Sequence, residues 1–330
     1  MRRREFILLL GGAAAWPLAA RAQQAKAAII GLLGTGTAAA QSQWTAAFVQ
    51  RMRELGWVEG RNLAIEYRWA EGRTERLAAL ANDLVRLKVD VVVTHNTPGP
   101  LAAKQATSTI PIVFATAGDP VGTGIVASLA RPGGNITGVS LFDADFYAKR
   151  LQILKEVVPS ASKVASLTMR RTWEGAYGQA FQPALQEASR RLQISLIPML
   201  LGESTPTEYQ RVFAEIAQDR PDAILVSDIG DLLNYRQLIV ELVEKSHLPA
   251  MYGAREFIEV GGLMAYQADL AEVGRRMADD VHEILNGAKP GDIPIYQSGK
   301  FQYLINLKAA KALGLNIPPT LLALADEVIE

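Results

Sequence analysis

A chain of 330 residues, 49% of them apolar, is long enough to bury two cores of ordinary domain size. Its 34 basic and 34 acidic residues cancel, leaving no net field to recruit nucleic acid or an anionic membrane. The sequence has no cysteine, which excludes disulfides, thiolate metal sites, cysteine nucleophiles and a lipidated cysteine.

Arg2, Arg3 and Arg4 precede an apolar run over residues 7–20, which ends in Ala20, Arg21 and Ala22. A charged start, an apolar middle and an Ala-x-Ala site are the parts of a secretory signal. Crossing ~30 Å of hydrocarbon takes ~20 residues, so the run is too short to span, and Gly11, Gly12 and Pro17 weaken it as a helix. Residues 1–22 are therefore expected to be cleaved on export to the periplasm. Their loss takes away four arginines and one glutamate, leaving 30 basic and 33 acidic residues and a net charge of −3. Arg3 and Arg4 followed by Glu5, Phe6 and Ile7 are similar to a twin-arginine export signal, with Arg2 where Ser or Thr is usual; the export route stays open.

From residue 27 onward, short apolar runs alternate with longer amphipathic segments, the pattern of a parallel sheet covered by helices. Strands are expected at 27–33, 63–69, 90–94, 112–115 and 136–141, with helices at 43–55, 74–87, 98–106 and 125–129 between them. A helix at 146–157 leads into a second series, with strands at 164–168, 194–200, 223–226, 250–252 and 263–266 and helices at 177–192, 208–218 and 234–245. A helix at 272–285, a Gly/Pro-rich link at 287–291 and a strand and helix over 301–313 close the chain. The fold class is α/β, two doubly wound parallel-sheet lobes, the second half repeating the architecture of the first.

Open parallel sheets bind ligands beyond the carboxyl ends of their strands, where helix amino termini offer unpaired N–H groups and a positive dipole end. In the first lobe those positions hold Thr35 and Thr37, Thr97 and Pro98, and Thr116, Ala117, Gly118 and Asp119. In the second they hold Trp173, Asp228 and Arg255, with Tyr177 nearby, and Phe142 and Gln267 are further candidates. Threonines can cap helices and also donate to a carboxylate, whereas Trp173, Tyr177 and Phe142 can enclose an apolar body. Asp228 suits an ammonium group, while Arg170 and Arg171 suit a second acidic group, so an amino acid and a dicarboxylate or aromatic acid both stay open.

No cofactor or metal is expected. Gly31, Gly34 and Gly36 stand in the order Gly-x-x-Gly-x-Gly, which is not the dinucleotide fingerprint. His95, His247 and His282 have no zinc or triad spacing, and there is no Gly-x-Ser-x-Gly elbow. Asp119 and Asp228 keep open a periplasmic hydrolase or isomerase.

The run Ile110, Pro111, Ile112, Val113, Phe114, then Asp119, Pro120, Val121, Gly122, is followed by Ala127, Ser128, Leu129, Ala130, Arg131, Pro132, Gly133, Gly134, Asn135, Ile136, Thr137, Gly138, Val139. With the ending from Ile305 to Leu315 and Ile317, Pro318, Pro319, it resembles a family of ABC transporter substrate-binding proteins that includes tryptophan- and tyrosine-binding members. The resemblance covers nearly the whole chain after residue 22. It implies a type I periplasmic binding fold with a ligand cleft, hinge closure and three crossovers, placed near 141–143, 267–269 and 293–297, with 23–140 and 270–290 in the first lobe and 141–269 and 291–330 in the second. It also implies a solute-binding component of an importer, without catalysis, whose partners are a small-molecule ligand and an ABC permease in the inner membrane. A receptor presenting ligand to a membrane sensor has the same requirements. Relatives often carry an Asn-Pro-rich loop where this chain has Met169, Arg170, Arg171, Thr172 and Trp173.

Overall fold

The computed structural model describes residues 27–140 and 144–330. The expected signal at 1–22, Phe142 and the crossover at 141–143 lie outside the described residues, as does the side chain of Tyr177. Among the described residues no helix is long and apolar enough to cross a membrane.

The first lobe is built on β1 (Ala28–Gly34), β2 (Leu63–Trp69), β3 (Val91–His95), β4 (Ile112–Ala117) and β5 (Ile136–Ser140). The strands are parallel and ordered β11-β5-β4-β3-β1-β2, where β11 is Tyr296–Gln297. Continuous apolar runs such as that of β1 form its centre because helices cover both faces. On one face lies α1 (Ser42–Glu54), whose Trp44, Phe48 and Met52 recur every fourth residue and are buried. The other face carries α2 (Leu77–Arg86), through Leu77, Ala81 and Leu84, and α3 (Pro98–Ala106).

The helix expected at 125–129 does not form. Gly124, Gly133 and Gly134 take positive φ, and Val126 N–H bonds back to Pro120 O while Ala127 N–H bonds to Pro132 O, so this stretch closes on itself as turns. Ile125 and Val126 are nevertheless buried against the sheet.

The second lobe begins with α4 (Ala144–Val157) and continues through β6 (Lys163–Met169), α5 (Arg170–Glu174), α6 (Ala176–Arg191), β7 (Ser195–Leu201), α7 (Pro206–Asp219) and β8 (Ala223–Val226). Then come α8 (Gly230–Asn234), α9 (Arg236–Lys245), β9 (Ala250–Tyr252), α10 (Arg255–Ile258) and β10 (Met264–Ala268). Its sheet order is β13-β12-β10-β9-β8-β6-β7, with β12 (Phe301–Asn306) antiparallel to β10 and β13 (Glu327–Ile329) at one edge. Pro198 sits in β7, the other edge strand, where its missing N–H breaks no ladder. The closing helices α12 (Leu307–Ala312) and α13 (Pro319–Leu324) pack with α4 and α6 on one face; α7, α9 and α10 cover the other.

After β10 the chain returns to the first lobe as α11 (Leu270–Leu285), which lies on α1 so closely that a Cβ on Gly274 would sit 2.4 Å from Trp44 O. The final crossing falls later than expected. Residues 291–297 do not join the second lobe: Tyr296 and Gln297 pair with Val139 and Ser140 of β5, and Ile293 and Ile295 are buried in the first lobe's core. The Gly/Pro-rich link is a turn within the lobe, and the chain passes across at 298–300.

Candidate functional site

The carboxyl ends of the two sheets face one another across a cavity of about 530 Å³. Residues following β1, β3 and β4 line one side, and residues following β6, β8, β9 and β10 line the other. Among the described residues the first-lobe wall contains no Asp, Glu, Lys or Arg; the second contributes Arg171, Asp228, Asp231 and Glu256.

A single polar network ties the first wall together. Thr35 Oγ1 lies 2.9 Å from His95 Nε2 and accepts from Asn96 Nδ2 at 3.1 Å. Thr116 Oγ1 donates to Asn96 Oδ1 at 2.9 Å and accepts from Asn96 N–H at 3.1 Å. Gln41 Nε2 also contacts His95 Nε2, and the His95 ring rests against Trp44 with centroids 5.2 Å apart. Asn96 and Thr116 hold φ of 56° and 55°, uncommon for Asn and strained for a β-branched residue, where a bulge between β4 and β5 turns the strand end. His95 Nδ1, Trp44 Nε1 and Gln41 Oε1 are buried and have no hydrogen-bond partner among the described residues. Such groups are costly unless something in the site satisfies them.

Burial pulls the His95 imidazole from 6.5 down to about 3, so it is neutral at pH 7. An unfolded chain takes up that proton near 6.5 and therefore binds more protons than the folded one between 6.5 and about 3. The resulting stability is complete above 6.5 and is lost as the pH falls through about 3. Buried Asp280 on α11, raised to about 7 by desolvation, acts in the opposite direction. It is common to wild type and His95 variants and cancels between them. Urea unfolding midpoints should therefore drop less on acidification in His95→Gln than in wild type; parallel acid limbs would exclude the ring as the source.

On the second wall, Arg150 is 4% exposed and reaches from α4 to the strand ends. Its Nη2 donates to Asp228 Oδ2 at 2.9 Å and to Gly253 O at 3.0 Å, and its Nε donates to Tyr266 O at 2.8 Å. The guanidinium stands 4.1 Å from the Phe146 ring centroid, and Phe146 and Tyr147 both line the cavity. Arg171 pairs with Asp231 at 2.6 Å and Arg170 with Glu174 at 3.1 Å. Among the described residues Glu256 has no partner for its buried Oε2, and desolvation raises its carboxyl above the ordinary range.

Of the residues expected at the site, Thr35, Thr97, Pro98, Thr116, Gly118, Asp228 and Gln267 line the cavity. Gln267 is engaged structurally, accepting from Arg255 N–H and donating to Gln302. Thr37 accepts from Ala40 N–H in the lead-in to α1, and Asp119 accepts from Gly122 N–H; both side chains are spent on turns. Ala117 is buried in β4, and Arg255 pairs with Glu327. Trp173 is not part of the lining: it packs edge-on against Phe181, centroids 5.9 Å apart, because α5 turns it toward α6. Gln41, Trp44, Phe146 and Tyr147, which also line the cavity, were missed. None of these stands at a strand end: Gln41 lies in the turn before α1 and the others sit on helices, whereas His95 and Glu256, which also line the cavity, stand at strand ends beside Thr97 and Arg255.

The model of the family described as ABC transporter substrate binding protein matches residues 39–329. The chain belongs to that family. Its two-lobed parallel-sheet architecture is the type I periplasmic binding fold. This substrate-binding protein is 24% identical over 268 residues to the tyrosine-binding protein of Clostridioides difficile (strain R20291), covering 81% of this chain and 75% of that one. It superposes with a TM-score of 0.84 on a conserved domain protein from Vibrio cholerae, at 25% identity, over 92% of this chain and all of the other. The TM-score is also 0.84 for a domain from Streptococcus pneumoniae in complex with L-Trp, at 24% identity and the same coverage.

Proposed function

We propose that this substrate-binding protein works outside the cytoplasmic membrane, after cleavage of residues 1–22, and delivers a small solute to the permease of an ABC importer. One observation carries the reading: a cavity of about 530 Å³ lies between two lobes, and both lobes supply its walls. Closure about the crossings then buries the solute and creates the surface a permease reads.

The ligand we infer carries a carboxylate and an aromatic or other apolar body. Thr97 and the first N–H groups of α3 suit the carboxylate; Pro98 and Pro100 remove two of those donors, leaving those of Thr97 and Gly99. Trp44, Phe146 and Tyr147 suit the body in place of Trp173. Arg170, Arg171 and Asp228 are already paired, whereas Glu256 lines the cleft with no ion-pair partner among the described residues, which favours an amino acid over a dicarboxylate. The tyrosine-binding and L-Trp-bound relatives agree with this choice.

Calorimetry with L-tryptophan and L-tyrosine should detect binding that Thr97→Val weakens by about tenfold, the worth of one hydrogen bond to a charged group. Small-angle scattering at saturation should show a smaller radius of gyration. An unchanged profile with bound ligand would remove hinge closure, and an intact Met1 on the exported protein would remove signal cleavage.

A further inference from the structure

A second cavity, of about 470 Å³, lies outside the cleft against the second lobe. Its aromatic wall is made by Phe146, Tyr266 and Phe301, which form a mutual stack with centroids 4.9 Å apart for Phe146 and Phe301 and 5.5 Å for the other two pairs. Each ring comes from beside a different inter-lobe crossing. Phe146 stands in the first turn of α4, where the described second lobe begins, Tyr266 just before Asp269, and Phe301 just after 298–300. Tyr266 and Phe301 are only half-buried, so ring surface remains turned to the cavity. Lys149 and Arg191 also line it, and neither has an ion-pair partner among the described residues.

We propose that this cavity is a second ligand site, distinct from the solute cleft, for a small aromatic anion such as a carboxylate or sulfonate. Stacked rings offer flat apolar faces to an aromatic body, and the two uncompensated cations select a negative charge at its edge. The volume matches one compact aromatic molecule of drug-like size. The site also touches the mechanism of closure. Phe146 lines the solute cleft as well, and it carries on one face the Arg150 guanidinium that holds Asp228. An occupant resting on all three rings would contact the segments that must rotate when the lobes close, so its binding and closure are linked.

The probe is 8-anilinonaphthalene-1-sulfonate, titrated by fluorescence into the whole protein. Saturable binding is expected, weakened about tenfold or more when Lys149→Glu and Arg191→Glu are combined, since two favourable charges become repulsive. The same reversal at exposed Lys308 and Lys311 on α12 should leave the affinity within about twofold. Phe301→Ala should also weaken the probe, and if that variant does not fold, the surface charge pair decides alone. The uncharged analogue N-phenyl-1-naphthylamine should bind more weakly than the sulfonate. Wild-type affinity in the Lys149/Arg191 variant, or equal weakening by the Lys308/Lys311 variant, overturns the proposal.

Discussion

Arg150→Ala is expected to lower the unfolding free energy by ~3 kcal/mol or more, the range for breaking a buried ion pair from one side. The guanidinium ties α4 by hydrogen bonds to the ends of β8, β9 and β10. Its removal leaves the Gly253 and Tyr266 carbonyls without that donor and Asp228 without its countercharge. Asp228 is 33% exposed, so water offsets part of the loss and holds it near the lower end of the range. The cation over Phe146 goes as well. Arg150→Lys keeps a charge but cannot serve three acceptors with one planar fork, and it should fall between wild type and alanine. Denaturant titrations measure this directly; a loss below ~1 kcal/mol would mean that the pair is not structural.

Gly138→Ala should cost ~3 kcal/mol or prevent β5 from forming, because the residue has a backbone that alanine rarely adopts and no room for a side chain. Its φ is 150°, and a Cβ there would lie 2.0 Å from Phe114 O and 2.7 Å from Phe114 N in the adjacent strand. Both atoms belong to backbone at the centre of a sheet, so neither can swing aside. The clash lies at the start of the β4–β5 register shift that turns Thr116 into the cleft. A matched control is Gly133→Ala, whose φ is 72° with nothing within 4 Å; it should cost only ~1 kcal/mol. Thermal melts of equal depth for the two would show that β5 shifts to make room.

Much of the fold was legible from the chain alone because strands buried on both faces must be apolar throughout and covering helices must be apolar on one side. Those two patterns depend only on local geometry, so β8 (Ala223–Val226) and β9 (Ala250–Tyr252) stand at their expected residues. The motif through Gly133, Gly134 and Asn135 and the strand-end rule likewise led to the family and to Thr35, Thr97, Thr116 and Asp228. A two-residue strand such as β11 has no period to detect, and the buried isoleucines that hold it in the first lobe look like any apolar link.

The site depended on three-dimensional facts. The sequence does not show what Trp44 or Trp173 faces; only packing directs Trp44 to the cleft and Trp173 onto Phe181. Arg150 and Asp228 are 78 residues apart, and Thr35 and His95 are 60 apart. The local chain therefore determined which segments become strands and helices and which of their ends are open to a ligand. The tertiary structure decided which charges are neutralised, which imidazole is stripped of its proton and which rings meet, because desolvation and pairing depend on neighbours that only folding brings together.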